Sequence, residues 1–124
     1  MECLTYHREY ELAGLGEPGM SFLYNVIKTL KPVKVLEVGF AEGMSSLSIL
    51  QAMKENNNEG HLISIDPFQS TCWKNIGTTN VKKNDFCDKH TLYETYSCLA
   101  LPKLLENNEK FDFIFIDGSH LYDD

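Results

Sequence analysis

The sequence predicts an α/β fold built on a doubly wound parallel sheet. Three apolar runs carry that prediction, each ending in a feature suited to ligand binding. Residues 33–38 close on a glycine turn, residues 61–65 close on Asp66, and residues 111–116 close on Asp117. Helical patterns lie between the runs, and this alternation implies parallel pairing with right-handed crossovers. Ligands in such sheets bind outside the carboxyl ends of the strands.

The elements follow in order. Residues 1–17 are polar with scattered aromatics and read as an arm or short helix, ahead of a single unit over 18–124. Gly16-Glu17-Pro18-Gly19 reads as a turn. Phe22, Leu23, Val26, Ile27 and Leu30 stand at helical spacing and predict a helix over 20–30. Lys31-Pro32 ends it. A strand over 33–38 leads into a helix over 43–55, with Leu47, Ile49, Leu50 and Met53 apolar. The loop 56–60 ends on a glycine, and a strand follows at 61–65. A short helix is expected near 70–76. Residues 77–89 are rich in Asn and Lys and receive no element. A strand near Thr91-Leu92-Tyr93, a helix over 97–106 and a strand over 111–116 complete the pattern.

The glycine turn is the most specific signal. Glu37-Val38-Gly39-Phe40-Ala41-Glu42-Gly43-Met44-Ser45 reads as strand, tight turn, helix. Gly39 lets the chain reverse, and Gly43 is expected to let a ligand approach the backbone. The helix start then offers unpaired N–H groups. The dinucleotide fingerprint needs G-x-G-x-x-G, which this turn lacks. That favours a nucleoside cofactor without a pyrophosphate. Asp66 stands at the tip of the neighbouring strand, where a carboxylate can accept ribose hydroxyls. Its alternative is the first residue of an Asp-Pro turn.

Bulk properties narrow the class. The chain has 124 residues, enough for one domain with one core. Its net charge of −7 argues against a nucleic-acid partner. The start is not a signal peptide, and no run reaches membrane length, so no membrane partner is expected. Cys3, Cys72, Cys87 and Cys98 form no C-x-x-C pair, which fits free thiols in a cytoplasmic protein.

With these blocks in hand, the chain resembles class I S-adenosylmethionine (SAM)-dependent methyltransferases, and more narrowly the O-methyltransferase-like methyltransferase family 24. The matching text is Lys31-Pro32 with VLEVGFAEGMSSLSIL, then ISIDPFQST with Trp73 and Gly77, then Ala100 to Leu105, then FDFIFIDGSH with Tyr122. The resemblance implies a Rossmann-like sheet and SAM as cofactor. It also implies that the chain holds the N-terminal half of the fold, strand order 3-2-1-4. The C-terminal half would be absent, the sequence stopping a few residues past the fourth strand.

The same resemblance implies roles for residues. Gly39 and Gly43 would wrap the amino-acid end of the cofactor, with Glu37 below it and Phe40 and Ser45 beside it. Asp66 would take the ribose, with Pro67 and Phe68 at the same strand end and Gln69 next to them. Phe68 suits a core aromatic equally well, and Trp73 suits a structural lid as well as a cofactor or substrate contact. Glu94, Tyr96 and Ser97 follow the third strand, where relatives contact adenine. Asp117 would sit beside the transferred methyl group and is the candidate ligand for a divalent cation such as Mg²⁺. Asp123 and Asp124 are poor substitutes for the further acids Mg²⁺ needs. Asp117 and His120 are the catalytic candidates, His120 as general base. His7, His61 and His90 carry no motif and are expected at the surface.

The expected function is methyl transfer to a small-molecule or sugar-like acceptor. Two alternatives remain: a truncated or degenerate module that binds cofactor or a partner without turnover, and an NAD-dependent oxidoreductase. Phe111, Phe113 and Phe115 are expected on one face of the last strand, with Ile114 and Ile116 on the other. Such a strand at an open edge is expected to drive self-association.

Overall fold

A computed structural model describes residues 4–9, 15–57 and 59–118. Within them the chain forms α1 (Glu17–Leu30), β1 (Lys34–Val38), α2 (Met44–Glu55), β2 (His61–Ile65), α3 (Ile76–Lys83), β3 (His90–Tyr93), α4 (Ser97–Glu106) and β4 (Phe113–Ile116). A short 3₁₀ turn, Cys87–Lys89, leads into β3. All strand pairs are parallel, in the order β3-β2-β1-β4. The expected 3-2-1-4 order is therefore the observed one.

Strand alternation sorts the core into two layers. Val35, Leu62, Phe113 and Phe115 point to the face covered by α1, α2 and α3. Leu36, Ile63 and Ile65 point to the other face, where Ala100 and Leu104 of α4 cover them. Glu37 and Ser64 share the parity of Val35 and Leu62 and pair in register. Both therefore lie under α2, a consequence of alternation with no hydrophobic cause.

Helix α2 is buried over ten consecutive residues, Met44 to Met53. It packs between α1 and the sheet, with α3 on its flank. Its buried serines and Gln51 need partners, since an unpaired buried polar group is costly. Ser48 donates to Met44 O at 3.3 Å, and Gln51 donates to Glu55 at 3.2 Å. Helix α1 buries Met20, Leu23 and Ile27 at helical spacing. It begins at Glu17, inside the stretch expected to be a turn. Pro18 fits a first helical turn, where its missing N–H has no partner to lose.

Two expectations need correction. No helix forms over 70–76; residues 67–75 are successive turns, with Lys74 and Asn75 left-handed at φ 52° and 58°. The helix is α3, in the polar stretch left without an element. Only Ile76 and Val81 mark its buried face as apolar; Gly77 and Asn80 complete it. Hydrophobic periodicity misses a face built from a glycine and an amide. Second, Phe111 lies outside β4 and packs with the α4 layer, 5.8 Å below the Lys34 ammonium. Asp112 causes the offset. Its carboxylate accepts the N–H groups of Val33 and Lys34 at 2.8 and 3.0 Å, and its own N–H donates to Lys34 O. The strand proper then starts at Phe113.

Gly77 is where α3 meets the turn after β1. A Cβ there would lie 2.6 Å from Ala41 O and 2.6 Å from the Phe40 ring. In Gly77→Ala the helix gains about 1 kcal/mol of propensity. The contact with a backbone oxygen costs about 1–3 kcal/mol. A net loss of stability is expected, read as a lower urea midpoint at unchanged m-value.

Candidate functional site

The turn after β1 is built from left-handed residues: Gly39 at φ 97°, Ala41 at 48° and Gly43 at 82°. Gly43 N–H donates to Phe40 O at 2.8 Å, and Leu47 N–H donates to Gly43 O, which starts α2. The neighbours that demand glycine belong to the chain itself. A Cβ on Gly39 would sit 2.2 Å from Asp117 O of the segment after β4. A Cβ on Gly43 would sit 3.3 Å from both Cα and O of Gly77. The expected opening beside Gly43 for a ligand is thus filled by α3. Phe40 is a core side chain, 2% exposed and stacked on His90 at 5.0 Å. What it turns toward the strand ends is its backbone.

Asp66 is buried and holds the turn from the sheet side. Its Oδ2 accepts Phe40 N–H at 3.1 Å and Ala41 N–H at 2.8 Å; its Oδ1 accepts Phe68 N–H at 2.8 Å. It thereby forms the Asp-Pro turn with Pro67 and also reaches the glycine turn. A carboxylate has about four acceptor positions, so three partners leave room for another donor.

Glu37 is fully buried beneath α2. Ser45 and Ser46 donate to its two carboxyl oxygens, and Ser64 donates to Oε2 at 2.6 Å. Burial pushes its pKa up to about 7, against the three hydroxyl donors that lower it; the nearby Asp117 charge adds to the rise. Behind Ser64 stands His90, with Nε2 2.9 Å from Ser64 Oγ. His90 was expected at the surface. Strand parity instead puts it on the helix-covered face, and burial drives its pKa down to about 4. His61 is half-buried beside Thr91 at 2.7 Å, and burial likewise lowers its pKa. His7 keeps an exposed side chain.

A cavity of about 20 Å³ opens between the turn and β4, lined by Leu15, Gly39, Ala41, Met44, Ser45 and Asp117 among others. Asp117 reaches it because its N–H is tied to Val38 O at 2.8 Å. His120, with Tyr122, Asp123 and Asp124, lies outside the described residues. No three His, Cys, Asp or Glu side chains converge as metal ligands among the described residues. The Mg²⁺ ligand set expected around Asp117 is not formed among the described residues.

The second strand end carries aromatics. Phe68 is 42% exposed and meets Tyr96 edge-on at 5.9 Å. Glu94 instead holds the Phe68 turn, accepting Ser70 N–H at 2.6 Å. Gln69 is buried and braces the glycine turn, donating to Ala41 O at 2.7 Å. Trp73 is half-buried within the turns, its N–H on Phe68 O. Sequence reasoning missed Glu42, Ser46, Ser64 and Asn80, all buried. Parity could have paired Ser64 with Glu37. No local signal marks Glu42 or Asn80.

A parallel 3-2-1-4 sheet with a glycine turn and strand-end acids around one cleft defines a nucleotide-type cofactor fold. Residues 36–124 match the family model described as a methyltransferase domain, and the chain belongs to that family, methyltransferase family 24. Solved structures agree on the fold. An O-methyltransferase from Bacillus cereus in complex with SAH superposes with a TM-score of 0.75 at 20% identity, covering 86% of this chain and 47% of the other. The O-methyltransferase TomG from Streptomyces achromogenes, in complex with SAM, gives 0.74 at 19% identity over 84% and 45%. A SAH-bound methyltransferase from Podospora anserina gives 0.73 at 20% identity over 84% and 42%. The chain thus spans just under half the length of these structures. No curated protein sequence matches it.

The shifts of Glu37 and His90 oppose one another in stability. Glu37 has a raised folded pKa, so its contribution is full below about 4.5 and is lost as pH rises through about 7. His90 has a lowered folded pKa, so its contribution is present above about 6.5 and is lost as pH falls through about 4. Together they flatten the profile. Glu37→Gln removes the first and keeps the second. Relative to Glu37→Gln, the native chain should lose up to about 3 kcal/mol between pH 4.5 and 7. Urea unfolding of both proteins across that range checks it; parallel profiles would exclude a titrating Glu37.

Proposed function

We propose that this chain binds SAM and forms the cofactor-holding part of a methyltransferase acting on oxygen or nitrogen of a small-molecule or sugar-like acceptor. The observation that carries the reading is the convergence of Asp66, the glycine turn, Glu37 and Asp117 on the carboxyl ends of β1, β2 and β4. Family membership supports it, as do similar folds solved with SAM or SAH. When bound, SAM supplies a methyl group on a positively charged sulfur.

The residues then divide the work. Asp66 offers its remaining acceptor position to a ribose hydroxyl, its orientation fixed by the three N–H groups it already holds. Phe68 and Tyr96 offer an apolar edge for the adenine. Ser45 and Asp117 line the cavity that receives the amino-acid end, with Glu37 behind Ser45. An ammonium placed there favours ionised Glu37, so binding would release its proton near neutral pH. The room is small, and Leu15 must yield to admit the group. Asp117 borders the methyl position, and His120 is assigned the acceptor's proton on sequence grounds. Holding donor and acceptor in line supplies most of the rate. The reading extends to a cytoplasmic setting, supported by the exposed free thiols of Cys72, Cys87 and Cys98. Among the described residues, no helix is long and apolar enough to cross a membrane.

A second reading, binding of a partner without turnover, is favoured by the apolar side chains that β4 leaves exposed among the described residues. Ile114 is 53% and Ile116 75% exposed, and Leu99 and Leu105 of α4 are exposed as well. Among the described residues β4 pairs only with β1. Self-association through this edge is expected. Ile114→Lys with Ile116→Lys should lower the mass seen by light scattering, and a native chain that is already monomeric at high concentration would refute it.

Cofactor choice is tested by calorimetry. SAH should bind and NAD should not. Asp66→Asn keeps an acceptor oxygen but loses the charge, and should weaken SAH by at least about tenfold, since hydrogen bonds to charged groups are worth about 1.5–3 kcal/mol. Circular dichroism confirms the fold of the variant. Heat from NAD and none from SAH would reverse the assignment.

A further inference from the structure

Residues 4–9 run along α3 on a ladder of two asparagines. Asn80 accepts His7 N–H on Oδ1 at 2.7 Å and returns a bond from Nδ2 to His7 O at 2.8 Å. Asn84 repeats the pattern on Thr5, accepting its N–H at 3.1 Å and donating to its carbonyl at 2.7 Å. The spacings match. Four helical residues rise about 6 Å, and two extended residues span about 6.6 Å. Such a ladder reads backbone alone, as a neighbouring strand would.

Asn80 does more than hold this segment. The same Nδ2 donates to Glu42 O at 2.9 Å, inside the glycine turn, and Asn80 is fully buried. The Glu42 carboxylate, 1% exposed, reaches the segment in return and accepts Glu9 N–H at 2.6 Å. Lys74 clasps the Glu9 side chain at 2.8 Å. The segment and the turn are therefore joined twice: through Asn80 and through Glu42.

We infer that Asn80 is a positioning residue that couples docking of residues 4–9 to occupancy of the cofactor site. The inference rests on the SAM reading above. Its sign follows from burial. When the segment leaves, Asn80 Oδ1 loses the His7 donor and the Glu42 carboxylate loses the Glu9 donor, both inside the protein. Groups that lose a buried hydrogen bond rearrange to replace it, and here they would take residues 41–43 with them. The docked segment thus favours the turn geometry that Asp66 and Gln69 also hold. A ligand that needs that geometry must, by linkage, tighten the segment.

The test uses the full chain with SAH as probe. Hydrogen exchange at the His7 and Glu9 amides should slow when SAH is added. His7→Pro lacks the N–H that Asn80 accepts and should bind SAH about tenfold more weakly, the worth of one buried hydrogen bond. Asn80→Leu should weaken SAH in the native background, and by a smaller factor in the His7→Pro background, where its link to the segment is already weakened and only its bond to Glu42 O remains to lose. Should Asn80→Leu fail to fold, the exchange measurement and His7→Pro still decide. Unchanged or faster exchange with SAH, or equal or tighter binding by His7→Pro, would overturn the coupling and leave the cofactor site standing; faster exchange would mean that the segment competes with SAH. A native chain that binds no SAH would remove the cofactor reading and this inference together.

Discussion

The carboxyl end of the sheet depends on one buried acid. Glu37 is the penultimate residue of β1 and has no exposed surface, and an unpartnered carboxyl group there is expensive. Its burial is tolerable because α2 lays Ser45 and Ser46 directly over it and β2 brings Ser64 alongside. Those bonds exist at one register only. A slide of α2 by one residue would trade a serine for Met44 or Leu47 and cost the acid one of its three donors. The polar cluster therefore fixes where α2 starts, and the start of α2 fixes the turn from Gly39 to Gly43. Apolar packing alone would specify this placement less sharply, since α2 is buried on every side.

That turn is then held from three directions. The sheet supplies Asp66, which collects the N–H groups of Phe40 and Ala41. The loop after β2 supplies Gln69, which takes Ala41 O. Helix α3 supplies Asn80, which takes Glu42 O, and Gly77, whose missing side chain lets the helix close in. Each device reaches the turn's backbone, so the turn's own side chains are largely free of the task. Preorganisation of this kind lowers the ordering cost a ligand must meet on binding.

The sequence disclosed this frame unevenly, for physical reasons. β1, β2, α2 and α4 were legible because their signals are local: apolar runs, a glycine turn, helical spacing. The strand ends were legible too, since Asp66 and Asp117 follow directly from where those runs stop. Helix α3 was not, because its buried face is Ile76, Gly77, Asn80 and Val81, a pattern with too few apolar positions to register. His90 was misread as a surface residue, since only pairing with β2 reveals its face. Gly43 was read as space for a ligand, but its neighbour is another glycine more than thirty residues away, and no local pattern connects the two. The common feature of these misses is a contact with a residue distant in the sequence.

The position of the acids bears on chemistry as well as architecture. Burial raises the Glu37 pKa, and the nearby Asp117 charge adds to the rise. A site that holds a buried acid near neutrality has unspent capacity for a cation. An incoming positive charge favours the ionised form of that acid. Dinucleotide cofactors bring a pyrophosphate to the helix start, and such a group would face these two acids with charge of the same sign. The pair thus argues against an anionic ligand at this end of the cleft and for a cationic one, independently of the glycine spacing that first separated the two cofactor classes.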